Sequence, residues 1–142
     1  MKKLKYLLVL AVLAFGFTSC EKDKTIPKNS NDTIVGTWLL KKYVRNNYQD
    51  GVFINNTIKT EFISEDSMQF KNDGTGEFNG KYVDYKIIND NGKVNLFIKN
   101  ADIDYKFEVK VLNDTELVTM DEWILSNGYK LSTDYFYKKV DL

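Results

Sequence analysis

Few residues in this chain can do chemistry. Its 142 residues include no histidine and a single cysteine, Cys20. Without histidine the commonest general base and metal ligand is missing, and a Ser–His–Asp arrangement cannot be built. Carboxylates are plentiful, with 20 Asp and Glu, and a glycosidase needs only two of them flanking a sugar. Most of these acids, however, alternate with lysines along strand-like stretches or occupy turns, as a solvated outer face requires. Asp and Asn cluster in "NDNG", "KNAD" and "LNDT". None of these stretches supplies the alternating oxygen ligands and closing glutamate of a calcium loop, and turn formation accounts for them. The residues therefore predict a protein that is not an enzyme and needs no metal or cofactor.

The one thiol has an informative setting. Met1-Lys2-Lys3-Leu4-Lys5 is followed by "YLLVLAVLAFGF", residues 6 to 17, which carry no charge. A helix crossing the membrane needs about 20 such residues, so this run is too short for a permanent span. A basic start, a short apolar core and the small residues Thr18-Ser19 before Cys20 have the layout of a secretory signal peptide. Phe17-Thr18-Ser19-Cys20 resembles the bacterial lipoprotein signal in a relaxed form frequent in Bacteroidota-type lipoproteins. That resemblance implies cleavage after residue 19 and acylation of Cys20, with palmitate-type chains anchoring the protein in the outer membrane of the cell envelope, facing either side. The layout also fits an ordinary signal peptide with an incidental cysteine.

Loss of residues 1–19 removes Lys2, Lys3 and Lys5, leaving 17 cations against 20 acids, a formal net charge of −3. Mild acidity argues against nucleic acid as a partner. With Cys20 acylated no disulfide is available, so the domain depends on its core. Residues 20–33, with the polar run "EKDKTIPKNSND", read as the lipidated cysteine and a flexible tether. Residues 34–142 suit one modest domain.

From Ile34 onward the pattern has a period of two. In "IDYKFEVKV", Ile103, Tyr105, Phe107, Val109 and Val111 alternate with Asp104, Lys106, Glu108 and Lys110, which places one face in a core and the other in water. "KVNLFIK" sets Val94, Leu96 and Ile98 on one side and Phe97 on the other. Asp73-Gly74, Asn91-Gly92 and Asn127-Gly128 are tight-turn pairs. About eight short strands result, an all-β antiparallel meander closed or rolled upon itself. Residues 46–66 interrupt the rhythm. They fit either a short amphipathic helix on Ile54, Ile58 and Phe62 or a further hairpin.

Gly36-Thr37-Trp38, in "IVGTWLLKKY", resembles the G-x-W signature of lipocalins and of lipocalin-like bacterial lipoproteins. Phe70 to Gly76, "FKNDGTG", and the aromatic-basic Tyr135-Phe136-Tyr137-Lys138-Lys139 are similar to further stretches of the smaller members. The resemblance covers residues 34–140. It implies an eight-stranded barrel whose tryptophan packs across the closed end against a cation. The chain's one arginine, Arg45, lies on the first strand, so Lys138 or Lys139 is the candidate for that contact. Thr133-Asp134-Tyr135 matches an animal-lipocalin triplet but lies too near the C-terminus for the strands that follow it there.

Alternation assigns Trp38, Leu40, Phe70, Phe78, Leu96, Tyr105, Phe107, Val109 and Phe136 to the interior, where they either fill the lumen or line a cavity for one small ligand. Lys42 shares the parity of Trp38 and Leu40, which suggests a bulge nearby. The expected function is a non-catalytic, membrane-anchored carrier of a small apolar or amphipathic molecule. The alternative is a solid barrel that contacts an envelope protein or glycan through exposed loops.

Overall fold

The computed structural model describes residues 30–64 and 66–141. The signal-like segment, Cys20 and the tether up to residue 29 lie outside the described residues. A five-residue helix, α1 (Ser30–Ile34), leads into nine strands: β1 (Gly36–Gln49), β2 (Val52–Lys59), β3 (Ser67–Phe70), β4 (Thr75–Phe78), β5 (Lys81–Asp90), β6 (Lys93–Lys99), β7 (Asp104–Leu112), β8 (Glu116–Ile124) and β9 (Tyr129–Val140).

All pairings are antiparallel. β3 to β9 follow one another as a meander, and β1 pairs with β3 on one side and β9 on the other. The β1–β9 ladder runs from Thr37 opposite Val140 to Gln49 opposite Tyr129. Eight strands thereby close into a barrel, and β2 is a ninth strand bound to β1 alone. Closure removes the open edges that an eight-stranded sheet would otherwise expose.

Turn chemistry sets the register. Asp50-Gly51, Asn79-Gly80 and Asn91-Gly92 each place two successive residues at positive φ, the geometry of two-residue hairpin turns whose twist matches the strands. Longer turns are held by side chains. Asp73 accepts from the Thr75 amide and hydroxyl at 2.9 and 2.7 Å, and Asn113 accepts from the amides of Thr115 and Glu116 at 3.0 and 2.8 Å. The Asn- and Asp-rich stretches are therefore turn braces.

Of the two readings of residues 46–66, the structure takes the hairpin. β1 continues to Gln49, turns at Asp50-Gly51 and returns as β2. The helical spacing of Ile54, Ile58 and Phe62 does not produce a helix, because Asn55, Asn56 and Thr57 favour other conformations and the hairpin pairs seven residues of β2 with β1.

The suspected bulge is present. In the β1–β9 ladder Leu40 faces Tyr137 and Lys42 faces Phe136, so the register slips by one residue between them. Before the slip Trp38 and Leu40 point inward, and after it Tyr43 and Arg45 do. Lys42 is turned outward, its ammonium 5.0 Å from the centre of the Phe136 ring. Burying that charge without a partner would cost far more than one irregular ladder step.

One end of the barrel is packed solid. Trp38, Met68, Phe70, Leu96, Ile98, Leu112 and Leu117 are fully buried there, with Ile34 of α1 against them. Trp38 Nε1 donates to the Ile34 carbonyl at 2.7 Å. Lys139, rather than Lys138, lies over the indole, with Nζ 5.2 Å from the ring centre and donating to the Thr33 carbonyl at 3.2 Å.

Gly36 makes this arrangement fit. Its φ is +130°, and a Cβ there would stand 2.6 Å from Lys139 Cε. The lysine cannot easily yield, since its ammonium is committed to Trp38 and Thr33. Gly36→Ala is expected to lower unfolding free energy by about 2 kcal/mol through backbone strain and displacement of Lys139. Urea denaturation followed by Trp38 and Trp123 fluorescence checks this, and an unchanged midpoint would contradict the account.

Candidate functional site

The other end of the barrel is open. Above the packed core lies a cavity of about 570 Å³, within the range of small-molecule sites. Its buried end is formed by Phe78, Phe107 and Tyr137, and its walls come from β1, β2, β7, β8, β9 and from Phe62 and Asp66 after β2. The rings form a continuous chain. Phe78 contacts Tyr105 and Phe107 with centroids 5.7 and 6.2 Å apart, and Phe107 meets Tyr135 at 5.9 Å. Tyr135 meets Tyr43 at 6.2 Å, and Tyr43 meets Phe62 at 6.0 Å. Tilted and edge-on contacts of this kind hold each ring in place and leave an apolar surface facing the open space.

Polar groups interrupt this wall at defined points. Asp121 Oδ2 accepts from Trp123 Nε1 at 3.0 Å and from the Tyr135 hydroxyl at 3.3 Å. Asp121 Oδ1 is buried with no hydrogen-bond partner among the described residues. Arg45 Nε donates to Thr133 Oγ1 at 3.3 Å, and its guanidinium stands 5.5 Å from the Tyr43 ring centre. Lys59 Nζ lies 5.0 Å from the Phe62 ring centre. Burial pushes the Tyr135 phenol above its ordinary pKa, as does the Asp121 carboxylate, while Arg45 pulls the other way. Tyr137 is pushed up further, first by burial and then by Tyr135, Asp121 and Asp66.

The nine residues assigned to the interior divide into three groups. Leu40, Phe78, Tyr105 and Phe107 line the cavity. Trp38, Phe70, Leu96 and Val109 belong to the packed core. Phe136 is a correction: it projects to the outer side under Lys42, because its neighbours Tyr135 and Tyr137 are the inward residues of β9. Alternation could not settle this, since residues 135 to 137 are all aromatic.

Sequence reasoning missed Tyr43, Arg45, Phe62, Asp121, Trp123, Leu131, Thr133, Tyr135 and Tyr137, all of which line the cavity. Carrying the alternation through the slip at residue 41 would have found Tyr43 and Arg45. The T-M-D-E-W stretch of β8 alternates Thr119, Asp121 and Trp123 inward, and a polar inward face does not announce itself in hydropathy.

Asp66 and Asp121 share the cavity. Both are already engaged by the protein, Asp66 Oδ2 by the Ile63 amide at 3.1 Å and Asp121 Oδ2 by the two donors named above. Among the described residues no three of His, Cys, Asp and Glu converge as a metal site. Comparison of the chain with protein-family models, with curated proteins and with solved structures finds no match.

The tyrosine shifts have a defined sign. Tyr137 stays neutral in the barrel above its ordinary pKa of 10.0, whereas in the unfolded chain it ionises there. Its contribution to stability is complete below pH 10 and is lost as pH rises beyond it. Urea midpoints measured from about pH 8 to pH 11.5 are expected to be level and then to fall, and Tyr137→Phe is expected to shallow the fall.

Proposed function

We propose that this protein is a membrane-anchored, lipocalin-like lipoprotein that holds a small amphipathic molecule in the mouth of its barrel without transforming it. The observation that carries this reading is the cavity itself: about 570 Å³ of open space, lined by a chain of aromatic rings, above a fully packed core. A barrel built only to be stable has no need to leave that volume unfilled. Its polar side chains, Arg45, Lys59, Asp66 and Asp121 among them, stand between the rings, and both carboxylates already accept hydrogen bonds from the protein, which suits orientation of a ligand better than proton transfer.

The anchor reading comes from the sequence. Phe17-Thr18-Ser19-Cys20 closes an export-type segment, and acyl chains on Cys20 would hold the domain at the outer membrane of the cell envelope, since each buried CH₂ adds about 0.8 kcal/mol. The G-T-W start, with Trp38 under Lys139, is the feature that supports the lipocalin-like reading.

A second reading draws on β2. Val52, Phe53, Ile54 and Ile58 are all exposed, and β2 pairs on one side only among the described strands. An apolar strand with a free edge can accept a strand from another envelope protein. Partner capture from membranes that depends on β2 while the cavity stays empty would favour this reading over the carrier.

Two measurements test the carrier and the anchor. Native mass spectrometry of the chain from residue 20, with Cys20→Ser, is expected to show a bound small molecule after exposure to lipid extracts. Leu131→Trp, which fills the cavity from β9, is expected to weaken retention about tenfold with the fold intact by circular dichroism. No bound mass and no fluorescence response to any lipid would overturn the carrier reading. In cells, Cys20→Ala is expected to remove the acyl mass and shift the protein from membrane to soluble fractions, and an unchanged membrane fraction would overturn the anchor.

A further inference from the structure

Five lysines of the outer face are paired with acids: Lys93 and Lys110 with Glu108, Lys99 with Asp104, Lys130 with Glu122, and Lys138 with Glu116. Others there, Lys42, Lys86 and Lys106, lie over aromatic rings without an ion pair among the described residues. Arg45 and Lys59 differ from all of these in position. Both line the cavity, and neither lies within ion-pair distance of a carboxylate among the described residues.

Their placement follows from the β1–β2 register. Tyr43 faces Lys59 and Arg45 faces Thr57, so the two cations are diagonal neighbours on one face, within reach of a common group. Each rests on a ring, Arg45 on Tyr43 and Lys59 on Phe62, and the two rings meet edge to face at 6.0 Å. Arg45 spends only Nε on the protein, through Thr133. Its two terminal nitrogens and the Lys59 ammonium have no hydrogen-bond acceptor among the described residues. A guanidinium fork beside an ammonium matches a carboxylate or phosphate.

The cavity also holds two acids. Asp66 and Asp121 each accept hydrogen bonds from the protein through Oδ2. Asp121, on β8, and Asp66, whose carbonyl accepts from the Leu40 amide, would repel an anion from their own sides and leave the corner between Arg45 and Lys59 as the favoured seat.

We propose, resting on the carrier reading above, that the ligand is an anionic amphiphile whose carboxylate or phosphate head sits between Arg45 and Lys59. Its apolar tail runs along Tyr43, Tyr135 and Phe107 toward the closed end. The two head groups share one chemistry at this seat, two or more anionic oxygens on one centre.

The test compares charged and uncharged versions of one tail. The chain from residue 20 with Cys20→Ser is titrated with the fluorescent polyene acid cis-parinaric acid and with its methyl ester, and dodecyl phosphate competes in a separate arm. The acid is expected to bind about tenfold more tightly than the ester, with the difference shrinking as salt is raised. In an Arg45→Gln, Lys59→Gln double variant the acid-to-ester ratio is expected to fall toward one. Displacement by dodecyl phosphate but not dodecanoate would assign the seat to phosphate, and the reverse to carboxylate. A ratio near one in the parent chain, or a ratio unmoved in the double variant, would overturn the anionic head and leave the carrier standing. Failure of both acid and ester to bind would overturn the two together.

Discussion

The contact between Lys139 and Trp38 is the constraint on which the barrel depends. It joins the start of β1 to the end of β9, the two strands whose pairing turns a sheet into a closed wall. The indole also needs its N–H satisfied, and α1 supplies the Ile34 carbonyl for it. A buried tryptophan with both its face and its donor occupied has one orientation available, and the surrounding Met68, Leu96 and Leu117 pack to that shape. Gly36 follows from the same geometry, since any side chain there would meet the lysine.

The one-residue slip at residue 41 divides the molecule into its two halves. Below it the inward residues of β1 are Trp38 and Leu40, which pack or border the core. Above it they are Tyr43 and Arg45, which line open space. An uninterrupted ladder would have turned Lys42 toward the interior and Tyr43 and Arg45 out of it. The same slip therefore keeps a charge out of the core and brings another to the cavity wall.

Much of the fold was legible in the sequence. Strand β7 is written as strict alternation from Tyr105 to Val109, β6 repeats it from Val94 to Ile98 with Phe97 as the one apolar residue on the other face, and Asn91-Gly92 marks the turn before them. The closed meander follows from those signals with few alternatives. The β1–β2 hairpin was legible only as one of two readings, because Asn55, Asn56 and Thr57 break the alternation while Ile54, Ile58 and Phe62 imitate a helical spacing. Four of the nine interior assignments line the cavity and four lie in the core, a distinction that depends on depth along the barrel axis. Alternation reports which face a residue is on and carries nothing about depth. Phe136 failed for a different reason, since three successive aromatics give the alternation no polar partner to work against.

The order of strands has a bearing on assembly. Every pairing from β3 to β9 joins neighbours in sequence, while β1 must wait for β9, whose residues lie eighty or more positions downstream of their partners. As the polypeptide emerges from its N-terminus it can build hairpin upon hairpin as a curled but gaping ribbon, with the indole of Trp38 still wet. The seam is sewn only when β9 arrives, so the contact that spans most chain, and costs most loop entropy to make, is one long-range meeting at the finish.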